Sequence, residues 1–146
     1  MPDAHQLIYL SVFNSGRVDS ALECLRDILK VSRKNNARTG VTGCLIFDGY
    51  GFLQILEGDN DAVDRTYGAI ERDPRHRDSR IISRLTASER DFMKWSMAGY
   101  LRRASEEAIF ARHGVEGPVS RTLFSHGQAL SLMKALAAAR PETVAA

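Results

Sequence analysis

The sequence predicts an α+β domain with an antiparallel-rich sheet and two core helices on one of its faces. Three observations carry this. Short apolar runs bounded by turn residues recur along the chain. Two longer segments between them space their apolar residues at the helical period. The resulting order is strand, helix, two strands, helix, strand.

Gln6 to Phe13 (QLIYLSVF) is apolar and bounded by Asn14-Ser15-Gly16, which marks a buried strand. From Val18 onward Ala21, Leu22, Leu25, Ile28, Leu29 and Ser32 form one stripe, which predicts an amphipathic helix ending near Asn35-Asn36. Val41 to Phe47 and Phe52 to Glu57 read as two strands joined through Asp48-Gly49-Tyr50-Gly51. Asp59 is a candidate N-cap for a second helix with Ala62, Val63, Thr66, Tyr67 and Ile70 on one face, and Pro74 ends it. A polar run from Arg75 to Arg80 reads as a loop before a fourth strand at Ile81 to Leu85. A fifth strand is expected around Trp95 to Leu101.

This order is the ferredoxin-like β-α-β-β-α-β plan with an added fifth strand and C-terminal helices. Those helices are expected at Ala104 to Arg112 and Thr122 to Ala139, the latter with a stripe of Leu130, Met133, Leu136 and Ala137. The expected division is a core at 1–101 and a helical extension at 102–146, capping the sheet face that the core helices leave open.

Composition narrows the function classes. The 146 residues are 44% apolar and 26% charged, as in an ordinary globular domain. No run approaches the ~18 apolar residues of a membrane span. The N-terminus lacks a basic signal-peptide region, and the two cysteines, Cys24 and Cys44, sit in apolar patterns, so a reduced, cytoplasmic protein is expected. A net charge of +2 is too balanced to imply nucleic acid.

The plan places the first and third strands side by side. Tyr9 shares a face with Leu7 and Ser11, and Gln54 with Phe52 and Leu56, so the two would be neighbours under the helices if those faces coincide. A buried Gln must satisfy an oxygen and two amide hydrogens, each costing about 1–3 kcal/mol if unmet. A polar heterocycle between helices and sheet would supply what Tyr9 cannot. Pattern alone also allows Tyr9 as a core tyrosine, Gln54 as an edge residue and Asn35-Asn36 as a helix-terminal turn. Arg72, Arg75, His76, Arg77 and Arg80 read either as a solvated loop or as a phosphate clamp.

Five motifs in order shift this balance: IYLS with Tyr9, NNARTGVTGCLIF (Asn35 to Phe47), FLQILEG (Phe52 to Gly58), ERDPRH (Glu71 to His76) and KWSM (Lys94 to Met97). Over about residues 6 to 100 the chain resembles the BLUF family of flavin-binding blue-light sensors. The resemblance implies FAD as cofactor, with FMN or riboflavin able to use the same ring site. It implies Tyr9 as the phototransducing tyrosine, donating an electron and proton to the excited flavin. Gln54 would stand between Tyr9 and the ring and change its amide arrangement, while Asn36 would bond the pyrimidine side. Ile28 and Ile70 match positions that sandwich the ring. Trp95 and Met97 match a pair on the added strand, either of which can lie near Gln54. Arg38, Asp73, Arg75 and His76 match positions at the ring edge or the ribityl-phosphate part.

No output enzyme is expected within residues 101–146, so a photoreceptor of this type would signal through an unidentified downstream protein, as a homodimer or higher homo-oligomer, without membrane or direct nucleic-acid contact. Two rivals share the fold plan. An RNA-recognition module would stack bases on sheet aromatics, for which Tyr50-Gly51-Phe52-Leu53 is a thin match. An acylphosphatase-like hydrolase would need a phosphate loop after the first strand, where Asn14-Ser15-Gly16-Arg17 is a poor candidate.

Overall fold

The computed structural model describes residues 4–14, 20–93, 95–140 and 144. Val18, Ser15-Gly16-Arg17 and Lys94 of the sequence reading lie outside the described residues. The five-stranded sheet has the order β4-β1-β3-β2-β5. Its strands are β1 (Ala4–Phe13), β2 (Thr42–Phe47), β3 (Gly51–Gly58), β4 (His76–Ala87) and β5 (Ala98–Leu101). Helices α1 (Ala21–Thr39) and α2 (Asn60–Arg72) connect them in the ferredoxin-like manner, and α3 (Glu107–Arg112) and α4 (His126–Ala139) follow. All pairings are antiparallel except β2 with β5.

The first helix begins at a cap the apolar stripe does not reveal: Ser20 Oγ accepts from Glu23 N at 3.0 Å. It also runs past Asn35-Asn36, which corrects the expected terminal turn. Gly40 takes φ +79° and its N–H closes on Asn36 O at 2.8 Å, so the glycine, not the asparagines, ends the helix. Asn36 therefore stays on a helical turn and faces inward.

Three further boundaries differ from the sequence reading. The run Arg75 to Arg80 is not a loop, because β4 starts at His76. β4 is an edge strand with most of its residues exposed, so charged side chains are tolerated where a central strand would need apolar ones. β5 starts only at Ala98, leaving Trp95 and Met97 in the connection before it. The last helix starts at His126, where Ser125 Oγ accepts from Gln128 N at 3.1 Å; Val119–Arg121 ahead of it is a 3-10 turn. On α4 the buried residues are Ala129, Leu132, Met133 and Leu136, with Leu130 and Ala137 half-buried at the margins.

The sheet is covered on both faces. Leu7, Tyr9, Leu45, Phe47 and Leu56 pack against Leu25 and Leu29 of α1 and Val63 and Tyr67 of α2. Ile8, Leu10, Ile46 and Tyr100 pack against Phe110 of α3 and Leu132, Met133 and Leu136 of α4. Removing residues 104–146 would therefore strip one face of the core.

Candidate functional site

Tyr9 and Gln54 are direct cross-strand partners on the central pair β1 and β3. The Tyr9 hydroxyl donates to Gln54 Oε1, and Gln54 Nε2 donates to Met97 Sδ at 3.2 Å. Tyr9 is fully buried, and burial, then the nearby Tyr67 and Asp73, push its hydroxyl well above the ordinary tyrosine range. It therefore stays protonated and serves as a donor. The Tyr67 ring packs beside it, with centroids 5.1 Å apart. A thioether is a weak acceptor, so the two amide hydrogens of Gln54 have only Met97 between them among the described residues.

The segment before β5 is tied to α1. Asn36 Nδ2 donates to Ser96 O at 2.7 Å, and Arg33 Nε to Met97 O at 2.9 Å. Met97 is thereby fully buried under Gln54, whereas Trp95 is half-buried and packs against the core on the opposite sheet face. At the other end of this connection the buried Glu57 accepts from Asp91 N and Phe92 N, both at 2.7 Å, and from Gln6 Nε2 at 2.8 Å. Burial raises the Glu57 carboxyl despite these bonds.

Between α1 and α2 lies a cavity of about 330 Å³. Ile28 of α1 and Ile70 of α2 supply apolar walls, Leu45 and Gln54 the floor from the sheet, and Asn36 a buried polar edge. The loop after α2 adds Asp73 and Arg75, and the first residue of β4 adds His76. Arg75 grips Asp73 through Nε at 3.0 and 3.1 Å and through Nη2 at 2.6 Å. Burial alone would raise the Asp73 carboxyl, but these bonds hold it below the ordinary carboxylate range. His76 is pushed down to about 4 by burial, with its ring over Phe52 at 4.4 Å and Nδ1 2.7 Å from Ser11 Oγ.

The volume, the apolar walls and the few convergent polar groups suit a flat heteroaromatic ligand. The Asn36 oxygen takes no hydrogen bond from the described residues, and with the Gln54 amide it offers both an acceptor and a donor to a ring edge. A flavin ring, with alternating carbonyl and N–H groups along one edge, fits this set.

Ile28, Asn36, Arg38, Gln54, Ile70, Asp73, Arg75 and His76 thus line one cavity, with Tyr9 and Met97 bonded directly to Gln54. Trp95 is not part of this group. The clamp allowed by the sequence is narrower than drawn: Arg72, Arg77 and Arg80 do not line the cavity, and Arg80 Nη2 instead donates to Ser120 O at 3.1 Å. Val31, Arg65 and Ala69 also line the cavity and escaped sequence reasoning. Arg65 stands next to Thr66 of the predicted stripe, and that adjacency was its only signal.

The fold and the site define a ferredoxin-like domain with a flavin-sized cavity and a Tyr-Gln pair at its floor. The chain belongs to the BLUF family, described as sensors of blue-light using FAD, whose sequence model matches residues 4–98. It is 27% identical to the photo-activated state of BlsA, with TM-score 0.76 over 91% of this chain and 94% of that one. Against the dark-state structure of the BLUF protein BlrB it is 27% identical, with TM-score 0.73 over 94% of this chain and 97% of the other. It is also 37% identical over 60 residues to the blue light- and temperature-regulated antirepressor BluF of Escherichia coli K12, covering 41% of this chain and 15% of the relative. With photoactivated adenylate cyclase subunit alpha of Euglena gracilis it shares 29% over 92 residues, 63% of this chain and 9% of that one. The chain thus spans only a small part of these two curated relatives.

Proposed function

We propose that this chain is a blue-light photoreceptor that holds FAD non-covalently between α1 and α2 and signals to a separate protein. The observation that carries the reading is the buried relay Tyr9–Gln54–Met97 at the floor of the cavity. A bound flavin supplies blue-light absorption and an excited state that accepts an electron. The protein's own part begins with Tyr9, a protonated and fully buried donor. Loss of an electron makes its hydroxyl proton acidic, and Gln54 Oε1 is the acceptor already bonded to it. An amide taking that proton on oxygen would give up one from Nε2 to the bound flavin, which thus would receive one electron and one proton in all. Gln54 then exchanges donor and acceptor ends with little backbone movement, since its two termini differ in exactly that property.

The rearranged amide no longer presents an N–H to Met97, and the connection to β5 carries that change. Asn36 and the Ile28 and Ile70 walls fix the ring; Arg38, Asp73, Arg75 and His76 serve its periphery. Trp95, packed on the opposite face, has no first-hand part in this arrangement. We place the protein in the cytoplasm as a homo-oligomer, with α3, α4 and the surface around Trp95 as the output side. No helix among the described residues is long and apolar enough to cross a membrane.

Cover on both sheet faces weighs against the RNA-recognition rival, which needs an open aromatic face. The hydrolase rival depends on a loop that lies outside the described residues.

The test is the absorbance of protein purified in the dark, recorded before and after blue light. A flavin spectrum that shifts slightly to the red and recovers in the dark is expected. A chain that cannot be loaded with flavin overturns the reading. Tyr9→Phe and Gln54→Leu should each keep flavin and lose the normal light response; normal cycling in both would overturn the relay.

A further inference from the structure

We propose that Arg38 and Arg65 form the subsite for the phosphate of the flavin cofactor, and that through them the cavity favours FMN and FAD over riboflavin. The inference rests on the flavin reading above and adds to it which residues meet the anionic part.

The cavity is electrically divided. At its loop end the positive charge of Arg75 is spent on Asp73, through three contacts between 2.6 and 3.1 Å. His76 is neutral at physiological pH. A phosphate placed there would meet a compensated guanidinium and a carboxylate, which together offer it no net attraction.

The helix end is different. Arg38 lies on the last turn of α1 and Arg65 on α2, and both line the cavity. Both are exposed, and among the described residues neither makes a hydrogen bond or an ion pair. Asp61, one turn before Arg65, does not pair with it, and Asp64 is engaged with Arg84 at 2.6 Å. Two uncommitted guanidinium groups, one on the last turn of α1 and one on α2, therefore line the cavity together with the committed Asp73–Arg75 pair that follows α2. A guanidinium matches phosphate oxygens two at a time, which a lone hydroxyl or amide cannot do. Ser32, Asn35 and Thr66 line the same cavity and supply neutral groups for a polyol chain leading out from the ring.

Equilibrium dialysis of the full chain against riboflavin, FMN and FAD in separate arms tests this. In the Arg38→Gln/Arg65→Gln variant the dissociation constants for FMN and FAD should rise about tenfold, the scale of two exposed charge-assisted contacts. The riboflavin constant should stay within about twofold of the wild type, and only the phosphorylated flavins should bind more weakly as salt is raised. Arg77→Gln, an exposed change outside the cavity, serves as the charge control and should leave all three constants unchanged. Equal weakening of all three flavins by the double variant, or no weakening of any, overturns the phosphate subsite while leaving the flavin reading intact. A wild-type chain that binds none of the three overturns the flavin reading, and the subsite with it.

Discussion

His76 offers a quantitative test of the cavity's electrostatics. The residue is 8% exposed, and its ring lies over Phe52 and shares a hydrogen bond with Ser11 Oγ. Burial disfavours the cation first; Asp73 opposes and Arg75 reinforces that effect, so the group is pushed down to about 4 from its ordinary value of 6.5. Between these values the unfolded chain binds a proton that the native state does not, so stability is lost as pH falls through this window. At pH 4.5 the loss is about 2.5 kcal/mol relative to pH 7.5. Urea unfolding of wild type and His76→Gln at both pH values isolates it. His126, also depressed by burial, acts in the same direction, and the raised Glu57 in the opposite one, but both persist in the variant and cancel in the difference. The stability gap between wild type and variant should move by about 2.5 kcal/mol against the wild type at the lower pH. An identical pH dependence in both proteins would refute a neutral, buried His76.

Glu57→Ala leaves the N–H groups of Asp91 and Phe92 and the Gln6 amide without their acceptor, so chemical denaturation should show a loss of about 3–5 kcal/mol. Glu57→Gln, which retains one acceptor oxygen, should lose less than Glu57→Ala. Arg140 pairs with the buried Glu106 at 2.6 Å and caps Leu101 O at 2.9 Å. Arg140→Met should cost about 3 kcal/mol in the same assay, and adding Glu106→Leu should restore most of it, because the penalty is an unpaired buried carboxylate. A double variant no better than the single would assign the loss to the Leu101 contact.

The central strands and the Tyr9–Gln54 pairing were legible because alternation along β1 and β3 fixes which side chains share a face. β4 was cut short in the sequence reading because an edge strand exposed along most of its length carries no alternation to find. The end of α1 was misplaced because two asparagines resemble a stop, although the left-handed conformation falls to Gly40. Arg65 escaped because an arginine beside an apolar stripe is indistinguishable from a solvated one until the opposing helix is in place. Trp95 and Met97 could not be told apart for a related reason. Two residues apart in a strand they would share a face, but the segment is not a strand.

That last point bears on how a change at Gln54 would leave the cavity. The carbonyls of Ser96 and Met97 are held by Asn36 and Arg33, so α1, which walls the cavity, also decides which side chain lies beneath Gln54. Bringing Trp95 inward would break both bonds, at about 1 kcal/mol each, and expel Met97 from full burial at a further cost of about 2 kcal/mol. It would also withdraw Trp95 from the core that contains α4. Met97 therefore lies beneath Gln54 by a margin of several kcal/mol. Under the proposed photochemistry the Gln54 amide removes only the 3.2 Å contact to sulfur, far less than that margin. On that proposal, light would not drive a full exchange of the two side chains. The change would pass instead as a small displacement of Met97 along the connection to β5, whose carbonyl at Leu101 is fastened to Arg140 at the end of α4.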